Sequence, residues 1–457
     1  MSWEIFAQQL GCQVSQVSMG GEGGFEMRAS NITYPSYRAR DVEPGTESDL
    51  ISEIRLFVLN PGSREDLIEC FLEHYLARNA KPYLALSYAW EVRSKTNTIR
   101  VDGCSFEVTE NLRDFLVNFR SESHSAVLWI DAVCINQTDN SERNAQVRLM
   151  KQVYEQADSV VIWLGEPADG TWEAFQAIEY FHRSFGLPYT QPEQSLASIP
   201  VKWIEERFAK IEKRYPHAWT GIRNLFNRPW WSRVWVYQEA TAPAKNGRIV
   251  LCGPHTIDFA KILGFNALIK YLSGGYKEFA GFERFTRKST STMDVYSKLR
   301  QGYYKHGKCN FLRLSDLLPT LRCSGATNPR DKLYSLIPIS LDGADLLDID
   351  YSPSVEEVYI DAAMNFIQKH KNLDILGHCT GTSRESAAVI QLPSWVPDWT
   401  FANGCVPFFK RGSWTNPTSA KSKITESFTA HAVTQQPLLG LKTQNESFFA
   451  MVLSLIM

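Results

Sequence analysis

Ala126-Val-Leu-Trp-Ile-Asp-Ala-Val-Cys134 (AVLWIDAVC) is apolar apart from Asp131 and reads as a central strand. Downstream, Asp139 with Glu142 three positions on makes a capping-box-like start to a helix that carries Val147, Met150, Tyr154 and Ala157 on one face. Val160 to Leu164 is a second central strand, ended by Gly165. Upstream, Tyr83-Leu-Ala-Leu-Ser-Tyr-Ala-Trp90 has no helical polar face and reads as a third buried strand between Pro82 and Glu91. Between the strands, Thr109 is placed to N-cap a helix bearing Leu112, Phe115, Leu116 and Phe119. Strands apolar on both faces and separated by helices predict an α/β fold with a mainly parallel sheet flanked by helices.

Further out the signals change. Ile54, Leu56 and Val58 alternate with Arg55 and Phe57, a strand pattern closed by the turn Asn60-Pro61-Gly62. Leu67, Cys70, Phe71 and Tyr75 have roughly helical spacing and predict a helix over 66–77. Residues 98–101 and 106–108 around Gly103 predict a small hairpin, as do 248–252 and 255–257 around Gly253-Pro254. Residues 171–228 read as mostly helical, and 234–237 fit either a strand or a helix start. Beyond 258 helical patterns dominate, at 258–272, 311–321, 331–337 and 354–369. The expected organisation is a weakly ordered arm over 1–50, an α/β domain over 51–260, a mainly helical C-terminal extension over 261–400 and an irregular tail over 401–457.

Composition narrows the function classes. Forty-eight basic against fifty acidic residues leave a formal charge of −2, which argues against a generally nucleic-acid-binding surface. Nine scattered cysteines with no CxxC suit neither a disulfide framework nor a zinc site, and point to a reducing compartment. The first residues lack a basic stretch followed by an apolar run, and the apolar tract at 448–457 is too short to cross a bilayer. The expectation is a cytoplasmic protein with no membrane span and no bound metal. No Gly-x-Ser-x-Gly elbow supports a hydrolase triad, and the glycines at 20–24 follow no strand and precede no Gly-Lys-Ser/Thr, so they make no phosphate loop.

Four stretches, taken together and in this order, resemble the fungal heterokaryon-incompatibility (HET) domain family. They are YLALSYAW at 83–90; LWIDAVCINQ at 128–137 with Glu142-Arg143 and Gln146-Val147; VVIWLG at 160–165; and RPWWSRVWVYQE at 228–239. ATNPRDKLY at 326–334 and LPSWVPDW at 392–399 resemble the region that follows the domain in many such proteins. Glu91 stands where the family usually has Gly. The resemblance implies a role in non-self recognition, in which fusion of incompatible cells triggers cell death, and a flavodoxin-like fold similar to that of Toll/interleukin-receptor (TIR) domains. Some TIR domains cleave NAD at the nicotinamide–ribose bond, with a Trp four residues before the catalytic Glu. Trp235 and Glu239 keep that spacing. The implied ligand is NAD or a related nucleotide as substrate, with no resident cofactor; the implied partners are a second copy of the chain and another incompatibility protein.

Glu239 is therefore the candidate catalytic residue. A carboxylate beside a breaking N-glycosidic bond stabilises the oxocarbenium-like state or orients a water; the alternative role is an ion pair with Arg233 or Arg228. Asp131 suits ribose hydroxyls or a backbone cap, since an acid in an apolar run needs hydrogen bonds. Asn136 suits amide recognition or an Asx turn. Ser87 and Tyr88 sit where a strand end borders a ligand cleft, and Arg233 suits a pyrophosphate. Trp235 belongs to the same candidate site. Trp90 is expected to pack, and Trp230 and Trp231 to plug the sheet. Arg143, Arg148 and Lys151 read as a solvated helix face, and Arg330 and Asp331 as structural.

Overall fold

The sheet strands, in chain order, are β1 Glu53–Leu59, β2 Glu69–Leu76, β3 Leu84–Tyr88, β4 Thr96–Val101, β5 Cys104–Thr109, β6 Ala126–Trp129, β7 Ser159–Trp163, β8 Arg248–Cys252 and β9 His255–Asp258. They come from a computed structural model that describes residues 53–90, 96–186, 199–241, 244–275, 312–379 and 390–400. The expected arm at 1–50, the tail at 401–457 and Glu91 lie outside the described residues. The chain divides into two compact units at Cys309/Asn310.

In the first unit all nine strands join in the order β5-β4-β2-β1-β6-β3-β7-β8-β9. At its centre β3 pairs in parallel with β6 and β7, and β7 with β8. Numbered among themselves along the chain, these four strands lie in the order 2-1-3-4, the arrangement that begins a flavodoxin-type sheet. The expected parallel core is present, but the sheet as a whole is mixed. β1 runs antiparallel to β6 and to β2, while β4-β5 and β8-β9 are hairpins. Asp102 (φ 50°) and Gly103 (φ 77°) supply the two positive φ angles that a tight hairpin needs.

Two expected elements differ. The segment expected as a helix at 66–77 is β2, which pairs along all seven residues of β1. Its half-exposed apolar residues satisfy either period, and backbone pairing with an adjacent strand decides between them. The strand expected over 126–134 stops at Trp129. The amides of Val133 and Cys134 turn back onto the Ile130 carbonyl, and a short helix follows.

The helices of this unit are α1 Glu110–Phe119, α2 Asp131–Cys134, α3 Asn140–Gln156, α4 Thr171–Phe185, α5 Val201–Arg214, α6 Ala218–Phe226, α7 Val236–Thr241 and α8 Phe259–Gly275. Thr109 caps α1 as expected, its hydroxyl accepting from the Leu112 amide at 3.3 Å. Asp139 caps α3 through the amides of Ser141 and Glu142. The Glu142 side chain does not complete a capping box. It forms a bidentate pair with Arg55 at 2.7 and 2.8 Å and accepts from the Asn136 amide at 2.6 Å. Arg55 is 0% exposed because β1 is an interior strand, covered on both faces. Its remaining polar demand goes partly to the Cys134 carbonyl at 3.1 Å. Gly221 of α6 lies against Gly170, the residue that precedes α4: a Cβ on Gly221 would lie 1.9 Å from the Gly170 carbonyl oxygen. Helix α8 packs on α4, β8 and β9, so the boundary expected near 260 falls at the start of a helix whose contacts lie in this unit.

The second unit is built from α9 Leu314–Leu321, α10 Asp331–Tyr334, α11 Gly343–Leu346 and α12 Val355–His370, with one 3-10 turn between α10 and α11 and another after α12. Ser354 and Glu357 exchange hydrogen bonds in a complete capping box at the start of α12. Arg330 donates to the Pro353 carbonyl and Asp331 accepts from the Tyr351 hydroxyl at 2.7 Å, the structural roles expected of them. Trp399 is buried against the Tyr359 ring, 4.8 Å between centroids. Among the described residues no helix is long and apolar enough to cross a membrane.

Candidate functional site

In a 2-1-3-4 sheet the topological switch point lies between the first and third parallel strands, here β3 and β7. Several hydrogen bonds hold the carboxyl ends of these strands in place. The Tyr154 hydroxyl of α3 donates to the Leu86 carbonyl at 2.9 Å. The Trp163 indole of β7 donates to Asn111 Oδ1 at 2.8 Å, and Asn111 Nδ2 donates to the Ala89 carbonyl at 2.8 Å. A helix residue thus ties the two strand ends together.

The chain returns to this point at the segment 228–239. Pro229–Ser232 forms a 3-10 turn. Trp230 and Trp231 stack edge to face at 4.8 Å and pack against Phe259, the plug expected of them. Helix α7 then places Glu239 beneath the end of β3, where its Oε2 accepts the Ser87 hydroxyl hydrogen bond. Ser87 Oγ in turn accepts from the Trp230 indole at 2.8 Å. Arg233 lies on the other side of the carboxylate, with Nη1 3.7 Å from Glu239 Oε1, and donates to the Tyr88 carbonyl. Asp131, at the first position of α2, accepts from the Ala132 amide at 2.8 Å and the Trp90 indole at 3.2 Å.

The electrostatics follow from this burial. Glu239 is 1% exposed, and desolvation pushes its pKa up to about 7 despite the opposing pull of Arg233 and the Ser87 hydrogen bond. Asp131 is raised by burial as well, against Arg233 and its own hydrogen bonds. Burial would lower Arg233, but Glu239 and Asp131 outweigh it and its pKa rises. The Tyr88 hydroxyl is pushed well up, chiefly by burial. The result is an interior cluster of two carboxylates, one guanidinium and a serine hydroxyl, gathered from three separate stretches of chain. A carboxyl poised near neutrality can exchange a proton at physiological pH.

Of the residues singled out in the sequence, the fold brings Ser87, Tyr88, Asp131, Arg233 and Glu239 together. Asn136 is engaged elsewhere: its Oδ1 accepts from the Thr138 amide and hydroxyl at 3.1 and 2.7 Å, the Asx-turn geometry. Trp235 is half-buried at the start of α7, and its carbonyl accepts from the Gln238 and Glu239 amides. Trp90 was expected to pack, yet it is 41% exposed, because its indole is drawn to Asp131 at the rim of the cluster. Arg228 donates to the Glu166 carbonyl instead of Glu239. The contribution of Trp230 was missed in the sequence, where it reads only as a plug. The detectable signal was Ser87 itself, a lone hydroxyl in an otherwise apolar strand that must find buried partners.

Among the described residues no three His, Cys, Asp or Glu side chains are grouped to hold a metal ion. With its side chain 1% exposed and ion-paired, Glu239 is closed to a ligand of nucleotide size in this conformation.

A doubly wound α/β sheet with a buried acid–arginine–serine cluster at its switch point defines the class of domain. Comparison with known proteins shows what the chain is similar to. Residues 83–239 match the family described as Heterokaryon incompatibility protein (HET), and the matched segment ends at Glu239. The chain is also similar to Heterokaryon incompatibility protein 6, OR allele, of Neurospora crassa, with 29% identity over 418 residues. That alignment covers 77% of this chain and 58% of the relative, so the chain spans little more than half of the relative's length. No solved structure gives a significant match to the chain.

Proposed function

We propose that this protein is an effector of fungal heterokaryon incompatibility, acting in non-self recognition and cell death, and that the Glu239 cluster is its functional centre. The observation that carries this reading is the placement of Glu239. It is hydrogen-bonded to Ser87 at the carboxyl end of the first parallel strand, where open α/β sheets bind ligands. The matched relative is itself described as a heterokaryon incompatibility protein.

The chemistry proposed for the centre is TIR-like cleavage of NAD. The C1′–N bond to nicotinamide breaks and nicotinamide leaves with the bonding pair. Water then adds to C1′ and gives up a proton, yielding ADP-ribose. The Glu239 carboxylate stabilises the positive ribose and receives that proton, while Arg233 and Asp131 suit the pyrophosphate and ribose hydroxyls. Access requires the 228–239 segment or the Trp90 rim to move, and self-association of the kind TIR enzymes use is the proposed trigger.

One observation favours a second reading. Glu239 is sealed from solvent and ion-paired with Arg233, which suits a non-enzymatic module that signals by binding a partner incompatibility protein. Purified protein, concentrated and crowded, is incubated with NAD, and nicotinamide release is compared with that of Glu239→Ala. Release that the substitution abolishes supports the enzyme. No release under any assembly condition, together with fungal toxicity that survives Glu239→Ala, establishes the non-enzymatic reading.

A further inference from the structure

The two oxygens of Glu239 are not equivalent. Oε2 is engaged by Ser87. Oε1 is buried with no hydrogen-bond partner and lies 3.7 Å from Arg233 Nη1, beyond hydrogen-bonding range. The Arg233 Nη1 group donates instead to the Tyr88 carbonyl.

Donor chemistry makes this asymmetry directional. An indole N–H can only donate, so the Trp230 bond occupies a lone pair on Ser87 Oγ. Serine has a single hydroxyl proton, and with the indole on one side that proton faces Glu239 Oε2. Serine oxygen has two lone pairs, so a protonated Oε2 could donate to Oγ beside the indole, but the serine proton would then turn away from the carboxyl into a buried site. The bond with Ser87 donating is the one made to the ionised carboxylate, which can only accept. We propose that Trp230 and Ser87 are positioning residues, a directional relay that aims the serine proton at Glu239 Oε2 and favours the ionised carboxylate, leaving Oε1 as the oxygen without a hydrogen bond.

The relay holds whether or not NAD is the substrate; its catalytic meaning rests on the function proposed above. There, Oε1 is the oxygen that faces the ribose and takes the proton from water. The charged and titratable groups around it are Arg233 ahead of α7, Asp131 at the start of α2, Tyr88 at the end of β3 and Tyr154 on α3. None of them supplies the Oε2 hydrogen bond, which comes from Ser87.

The test follows the relay spectroscopically, with no need of activity. In protein labelled with 15N-Trp and 13C-Glu, the Trp230 indole resonance is assigned by its loss in Trp230→Phe and followed from pH 5 to 9. The expected result is an indole shift that titrates together with the Glu239 carboxyl carbon, near pH 7, and disappears in Glu239→Gln. Ser87→Ala should abolish the indole titration and raise the Glu239 midpoint by about one pH unit, through loss of a hydrogen bond to the ionised form. Ser87→Thr, which keeps the hydroxyl, should restore both. An indole resonance that ignores pH while Glu239 titrates, or one that still titrates in Glu239→Gln, overturns the relay. Should Ser87→Ala fail to fold, the comparison of native protein with Glu239→Gln decides alone. A working relay without nicotinamide release refutes the NAD chemistry and leaves the relay standing; release without the relay does the reverse.

Discussion

Replacing Glu239 by Gln removes one ionisation from the interior while preserving shape, and its consequence for stability can be worked through. The native carboxyl holds its proton up to about pH 7, against 4.5 for an unburied glutamate. Between those values the folded protein binds more protons than the unfolded chain. Stability is therefore fully present below pH 4.5 and falls as pH rises towards 7. At about 1.4 kcal/mol per pH unit, the interval from 4.5 to about 7 corresponds to a loss of about 3 kcal/mol. Glutamine has no such ionisation, so Glu239→Gln should lose less stability over the same range. Asp131, also raised, titrates in both proteins and does not produce the difference. Urea unfolding at pH 4.5, 6 and 8, followed by tryptophan fluorescence, measures the effect. The stability of the variant relative to native should rise by about 3 kcal/mol from the lowest pH to the highest. Parallel pH profiles for the two proteins would refute the reasoning, because the cost of burying the Glu239 charge would then be absent.

Other perturbations test the frame that carries the cluster. Arg55→Ala leaves Glu142 buried without its bidentate partner and should cost about 3–5 kcal/mol; the double change Arg55→Met with Glu142→Leu should recover most of that loss in thermal melts. Gly221→Ala drives a methyl into the Gly170 carbonyl, where backbone cannot yield as a side chain would. It should destabilise the α4–α6 crossing by about 1–3 kcal/mol, read as a drop in denaturation midpoint.

Much of the architecture could be read along the chain. The strands at 84–88 and 159–163, the hairpins around Gly103 and Gly253 and the N-caps at Thr109 and Asp139 are local features, governed by burial pattern and turn or cap chemistry. Of the cluster, Asp131 was legible as an acid inside an apolar run, whereas Glu239 was reached only through the resemblance of the 228–239 motif. Local patterns failed where the partner decides the outcome. The 69–76 segment is a strand because β1 lies beside it, and the strand from Ala126 ends at Trp129 because the Ile130 carbonyl accepts from the turn that follows. Trp90 leaves the interior for a carboxylate 41 residues away.

The sequence by itself determined the α/β class, the resemblance to the HET family and the candidate polar residues, since each is carried by contiguous motifs. Only the tertiary structure decided their relations. Glu142 serves Arg55 instead of its own helix, Asn136 spends its side chain on a turn, and Glu239 faces Arg233 across the end of β3 with Trp230 behind Ser87. The reason is physical: hydrogen-bond direction and the cost of burying charge depend on neighbours up to 152 residues apart, and no local pattern records which of them the fold will bring within reach.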